Sequence, residues 1–274
     1  MNAPENLSRP LPTFYIPHGG GPCFFMEWTM GPPDTWEKMA NWLRGLAADV
    51  GVRPQAILVI SAHWESPQIT VQKQAQPPLL YDYYGFPPHT YQLKYDAPGN
   101  PALAQRIAGL LQDAGMATRI DSERGLDHGV FVPFKLIYPD ADIPVVQVSL
   151  QAGLDPAAHL AMGRALAPLR QEGVLIVGSG MSYHNMRGFF SGNGVADSRQ
   201  FDAWLTETVE LPDAAARDLR LKQWEQAPAA RAAHPREEHL LPLMVVAGAA
   251  EADTGRRVFT DQVMNAQVSA YRFG

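Results

Sequence analysis

The sequence predicts an α/β fold: a three-layer sandwich whose central, largely parallel or mixed sheet is covered by helices on both faces. Three observations lead there. Apolar runs of strand length recur without polar alternation, as strands buried on both faces require. Helical patterns fall between those runs, the arrangement that favours a parallel sheet. The 274 residues, 46% of them hydrophobic, suffice for one substantial core. No internal repeat or low-complexity linker divides the chain, so residues 1–274 are expected to form a single domain.

The first apolar run, Thr13 to Pro17, delivers His18 into the glycines of "PHGGGP". A glycine run loses much conformational freedom on folding, so it belongs where backbone bends sharply or approaches a ligand. Cys23, next to it, is the single cysteine and cannot form an internal disulfide; it reads as a small buried hydrophobe rather than a nucleophile. The second run, "AILVIS" from Ala56 to Ser61, leads to His63 in "SAHWES". In "GNPALAQRIAGLLQDAG", Asn100 caps a helix and Pro101 occupies its first turn. Leu103, Ile107, Leu110 and Leu111 share one face until Gly115 stops it. His128 follows in a tight Asp-His-Gly turn ahead of an apolar segment.

The third run, "IPVVQVSL" from Ile143 to Leu150, precedes a second helix start at Asp155 and Pro156, with Met162, Leu166 and Leu169 at helical spacing. Pro168 must kink or end that helix. The fourth run, Val174 to Val177, is followed by His184 in "GSGMSYHNM". Phe201, Trp204, Leu205 and Thr208 mark a further amphipathic helix, and "HPREEHLLPLMVVAG" places His239 just before a proline-started apolar one.

A formal net charge of -6 without a Lys/Arg run gives no footprint for nucleic acid or an anionic membrane surface. The N-terminus lacks a basic region followed by an apolar core, and no apolar stretch nears the ~20 residues that span a bilayer, so a cytoplasmic protein is expected. A homo-oligomer stays open.

Ligands of α/β sheets gather outside the carboxyl ends of the strands. His18, His63 and His184 each follow a strand run, and if those strands are parallel neighbours the three converge on one crevice, with His239 a fourth candidate. Neutral imidazoles from separate strand ends suit a transition metal such as Fe, Zn, Cu or Ni. Each histidine singly also fits a hydrogen-bonded structural role. His128 fits either a turn-stabilising or an acid/base role. His159 looks solvent-exposed, His89 belongs to an aromatic loop that could cover a planar substrate, and His234 reads as a loop residue ranked below His239.

Taken together, "PHGGGP", "SAHW", "GLDHGVFVPF", "YPDADIPVVQVSL", "GSGMSYHNM" and "EEHLLPL" make the chain resemble the class III extradiol ring-cleavage dioxygenases, in the DOPA 4,5-dioxygenase-like branch. The resemblance runs from about residue 12 to 250. It implies a mononuclear non-haem metal, Fe(II) for turnover with Zn(II) as another bound metal, and a catechol and O2 as substrates. It implies that His18, His63 and His239 are metal ligands, that His184 is a further ligand or the acid/base group, and that His128 contacts substrate or dioxygen. The sequence departs from the pattern twice. "HGGGP" is one glycine longer than the usual "HGSP", and both Glu238 and His239 stand where the wider class has a glutamate ligand.

Two rivals stay open. A zinc hydrolase would use the same histidines with Glu238 as its base, and a binding protein could keep the scaffold without chemistry. A serine hydrolase is excluded, because "VGSGM" around Ser179 lacks the GxSxG elbow. Tyr83, Tyr84, Phe86 and Tyr183 could wall a planar ring or simply pack.

Overall fold

The structure, a computed structural model, describes residues 9–191 and 194–274. Its strands are β1 (Thr13–Pro17), β2 (Ala56–Ser66), β3 (Ile69–Gln72), β4 (Thr118–Asp121), β5 (Val145–Gln151), β6 (Val174–Gly180), β7 (Gly255–Val263) and β8 (Ala266–Phe273). They form one sheet in the order β4-β3-β5-β2-β6-β1-β8-β7. The centre, β5-β2-β6-β1, is parallel throughout, while β8 joins β1 and β7 joins β8 antiparallel. At the other edge β3 meets β5 antiparallel and β4 parallel. The sheet is therefore mixed, with a parallel core.

The four central strands are those expected from the apolar runs, with β2 and β6 running further than the runs themselves. The helices are α1 (Glu37–Val50), α2 (Pro101–Asp113), α3 (His128–Ile137), α4 (Pro156–Leu166), α5 (Met186–Ser191), α6 (Gly194–Val209), α7 (Ala214–Lys222), α8 (Ala230–Ala233) and α9 (Leu241–Ala249). Asn100 caps α2 by accepting from the Leu103 amide at 2.9 Å. Asp155 caps α4, which gives way to a 3-10 turn at Ala167–Arg170, around Pro168.

Successive strand residues face opposite sides of a sheet. Along β6, the Ser179 hydroxyl donates to the Gly129 carbonyl of α3, whereas Gly178 and Gly180 lie under the Pro242 and His239 carbonyls. So α3, with α1 beside it, covers one face, and α9, carrying α4, covers the other. The apolar core continues through both interfaces. Among the described residues no helix is long and apolar enough to cross a membrane.

Candidate metal centre

β2, β6 and β1 are adjacent and parallel, so their carboxyl ends open on the same edge. His18 extends the β1–β6 pairing by donating its amide to the Gly180 carbonyl at 3.2 Å. The chain then turns away through Gly19 and Gly21, both at positive φ (81° and 56°). A side chain at Gly21 would meet the Phe86 ring at 3.0 Å, so the glycines serve both the turn and the close approach of an aromatic wall.

His63 sits inside β2, where the pairing with β5 shifts register between Ile60 and Glu65. A shift of this kind re-aims a side chain and frees backbone groups from the ladder. Both freed groups are satisfied: the His63 amide donates to Ser61 Oγ at 3.2 Å, and its carbonyl accepts from Arg124 at 3.1 Å. Arg124 also reaches Asp127, a fully buried carboxylate that accepts from Ser61 and Gln147. Burial and the Asp82 charge push the Asp127 pKa up, against the pull of Ser61, His128 and Arg124.

His239 hangs over the ends of β1 and β6 because its carbonyl accepts two bonds, from the Met181 amide at 3.2 Å and the Tyr15 hydroxyl at 2.7 Å. His184 is held by its amide to the Ala233 carbonyl at 3.0 Å, and its ring stacks on that of His239 at 3.4 Å between centroids.

The result is a cluster: His18, His63 and His239 each offer a nitrogen, all within 4.8 Å of one another. Their protonation follows from their partners. His18 Nδ1 lies 2.9 Å from the Gly19 carbonyl, which can only accept, so Nδ1 carries the hydrogen and Nε2 a lone pair. His239 Nδ1 donates to Glu238 at 2.8 Å, and its buried Nε2 has no hydrogen-bond partner. His63 Nε2 stands 3.2 Å from His18 Nε2. Burial, reinforced by the neighbouring histidine charges, lowers the pKa of all three, so they are neutral at neutral pH. Three neutral imidazoles converging on one point, two of them with a bare Nε2, suit a cation, and ligands ~2.1 Å from a shared ion lie roughly 3–3.5 Å apart. The site fits a metal.

Two further groups of metal-ligating type overlap this one: His63, Asp82 and His128, and His184, Glu238 and His239. In both, the carboxylate already accepts from imidazole. Asp82 takes both the ring Nδ1 (2.8 Å) and the amide (3.0 Å) of His128. Glu238 lies 3.3 Å from His184 Nδ1 as well as bonding His239. Burial would raise both acids, but the bond from His128, with the His128 and His63 charges, holds Asp82 below the ordinary range. The bond from His184, the Glu238 amide and the His184 and Arg236 charges do the same for Glu238. Asp82, in the aromatic loop 46 residues before His128, was not singled out by the sequence. The only hint was its place beside Tyr81, Tyr83 and Tyr84.

A cavity of about 290 Å³ opens over the cluster, with His128 and His184 in its lining and Tyr83, Phe86, Trp28 and Met264 among its walls. Tyr183 does not line it. Other expectations change. His128 starts α3 rather than sitting in an isolated turn. His159 is buried, not exposed, because its ring bridges the Asp155 carbonyl (2.7 Å) and the Gln151 amide (3.1 Å). His234 is fully buried behind the site on the Ser182 carbonyl (3.0 Å), and His89 bonds the Phe25 carbonyl outside the cavity. Burial also pushes the Cys23 thiol well up, away from nucleophilic use.

Comparison with known proteins meets this geometry from another side. The chain is 48% identical over 253 residues to a 4,5-DOPA dioxygenase extradiol of Beta vulgaris, covering 91% of this chain and 90% of that one. It is 38% identical over 277 residues to Dioxygenase tasH of Hapsidospora irregularis, covering 96% and 85%. The crystal structure of an uncharacterized protein from Escherichia coli K12 superposes with a TM-score of 0.76 at 30% identity, covering 96% of this chain and all of that one. Residues 12–274 match the family described as the catalytic LigB subunit of aromatic ring-opening dioxygenase, and the chain belongs to that family, the class III extradiol dioxygenases.

Proposed function

We propose that the chain, acting as one catalytic domain, opens catechols at a single Fe(II) held by His18, His63 and His239, with His128 and His184 moving the substrate's protons. Zn(II) is the other metal these nitrogens would hold. The observation that carries the reading is the orphaned, buried Nε2 of His239 beside the facing Nε2 atoms of His18 and His63.

When bound, the ferrous ion supplies chelation of the two catechol oxygens and the redox chemistry that makes dioxygen reactive. The chain's residues do the rest. Asp82 fixes His128 with hydrogen on Nδ1, which leaves Nε2 to take a phenol proton. Glu238 orients His239 and lies within reach of His184 Nδ1, so His184 is the group that returns a proton as the ring opens. Its stacking on His239 also makes it the fourth candidate to hold the metal. Aromatic and methionine walls limit water around the reacting ring. The bond broken lies beside the two hydroxyl-bearing carbons, and both oxygen atoms enter a ring-opened semialdehyde. Relatives named for 4,5-DOPA support a catechol substrate. Glu238 is engaged by two imidazoles, which disfavours a hydrolase that needs it as a free base.

The test is anaerobic loading with Fe(II), then a catechol panel in air with absorbance followed for ring-fission products. Turnover of esters or amides without oxygen, and none of catechols, would overturn the reading.

A further inference from the structure

We infer that the preferred substrate is a catechol whose ring substituent is apolar and uncharged, lying against Phe86, Phe190 and Met264. The inference rests on the catechol reading above. With the two oxygens at the histidines, the remaining ring and its substituent must occupy the outer cavity. Among the described residues, none of the side chains lining that cavity carries a full charge apart from the histidines. Of the two tyrosines in the lining, Tyr83 turns its hydroxyl away to the Thr90 carbonyl at 2.6 Å and presents its ring, and Tyr84 is largely exposed to solvent. Met30, Met186 and Phe190 stand at the mouth, each about half exposed, a ring of apolar side chains unusual on a solvated surface.

The neighbouring surfaces favour the same substituent. Past Met30, Phe190 and Met264 a second groove begins, lined by Asp34 and Asp261, and its Lys38 already contacts Asp261 at 3.4 Å. A carboxylate extended that way would meet carboxylates. On the far side of His184, Arg236 is paired with Glu65 and Glu238. Arg187 is exposed there, in a groove separated from the cavity by His184 and Met186. An anionic substituent would thus lose its hydration in the cavity without gaining a cation, while each buried methylene is favourable by ~0.8 kcal/mol, about fourfold in affinity.

The test compares two molecules of matched length, 4-propylcatechol and 3-(3,4-dihydroxyphenyl)propanoate, with catechol and 4-methylcatechol. Binding is titrated without oxygen on the metal-loaded protein, and kcat/KM is then measured in air. Affinity should rise about three- to fivefold per added carbon from catechol to 4-propylcatechol, and the propanoate should fall at least tenfold below it. Phe190→Lys should narrow that gap at least fivefold. Equal or better binding of the propanoate would overturn the inference, as would a gap that Phe190→Lys leaves unchanged. A propanoate preference abolished by Arg187→Gln would overturn it too and assign the substituent to the other groove. Tight, graded binding of alkylcatechols without cleavage would uphold the pocket and sink the dioxygenase mechanism, so the two failures are distinct.

Discussion

At the scale of single residues, the site is built from pairs in which a carboxylate accepts the Nδ1 hydrogen of an imidazole and leaves its Nε2 facing the cavity side. His239 and Glu238 illustrate the arrangement, because Glu238 fixes the tautomer that leaves Nε2 bare. Glu238→Gln should therefore weaken Fe(II) binding roughly 10- to 100-fold, while His239→Ala abolishes it; metal retained after gel filtration distinguishes the two. If Glu238→Gln loses all metal and His239→Ala keeps it, the carboxylate is the ligand. Asp82 plays the same part for His128. Asp82→Asn should keep its metal and anaerobic catechol affinity but lose roughly 10²-fold in single-turnover rate, with a shifted pH–rate profile. An unchanged profile would reduce Asp82 to a structural residue. The histidines of the cluster were legible because His18 and His63 follow strand runs and His239 stands just before a proline-started helix. Asp82 was not, since its partner is distant in sequence, nor was the burial of His159, whose two bonds are local backbone contacts that no periodicity reveals.

At the scale of elements, the histidine cluster is assembled by three parallel neighbours whose ends open on one edge and by one loop that turns sharply. The central strands were legible because burial on both faces leaves them uniformly apolar. The β7–β8 hairpin was not, since exposed Arg256 and Arg257 and the half-buried Thr260 and Asp261 interrupt its pattern, and its turn is Met264-Asn265, two residues at positive φ rather than an Asn-Gly signal. β3 and β4, four residues each at the sheet edge, are too short to stand out, and α1 has a regular apolar face but no capping side chain to mark its start. The loop of three glycines was legible as a bend, but not its contact with Phe86. Gly21→Ala should destabilise the fold by about 1–2 kcal/mol through left-handed strain alone. It should also displace Phe86 and lower catechol affinity. Denaturant midpoints and anaerobic titration measure these separately, and a neutral Gly21→Ala would contradict the role given to the loop.

At the scale of the whole molecule, burying neutral histidines ties stability to pH. His234 is held at about 3 by burial, offset in part by its bond to Ser182, and the pKa values of His18, His63, His159 and His239 are also lowered. Below their ordinary value of ~6.5 these groups bind protons in the unfolded chain but not in the folded one, so stability is full above that pH and falls as acid is added. A group like His234 contributes roughly 1.4 kcal/mol of loss per pH unit until its folded pKa is reached. Chemical denaturation of the metal-free protein between pH 7 and 4 should show this decline, and His234→Gln should flatten it; a slope equal to wild type would refute the assignment. The mixed sheet brings His18, His63 and His239 to one edge, and from that edge the account stands or falls as a metal-dependent one. The most direct measurement is titration of the chelator-treated protein with Fe(II), following both bound iron and catechol cleavage in air. The account predicts that activity rises in proportion to iron and stops at one ion per chain, and that His63→Ala gains neither iron nor activity. Cleavage by the iron-free protein, or full iron and full turnover in His63→Ala, would contradict it.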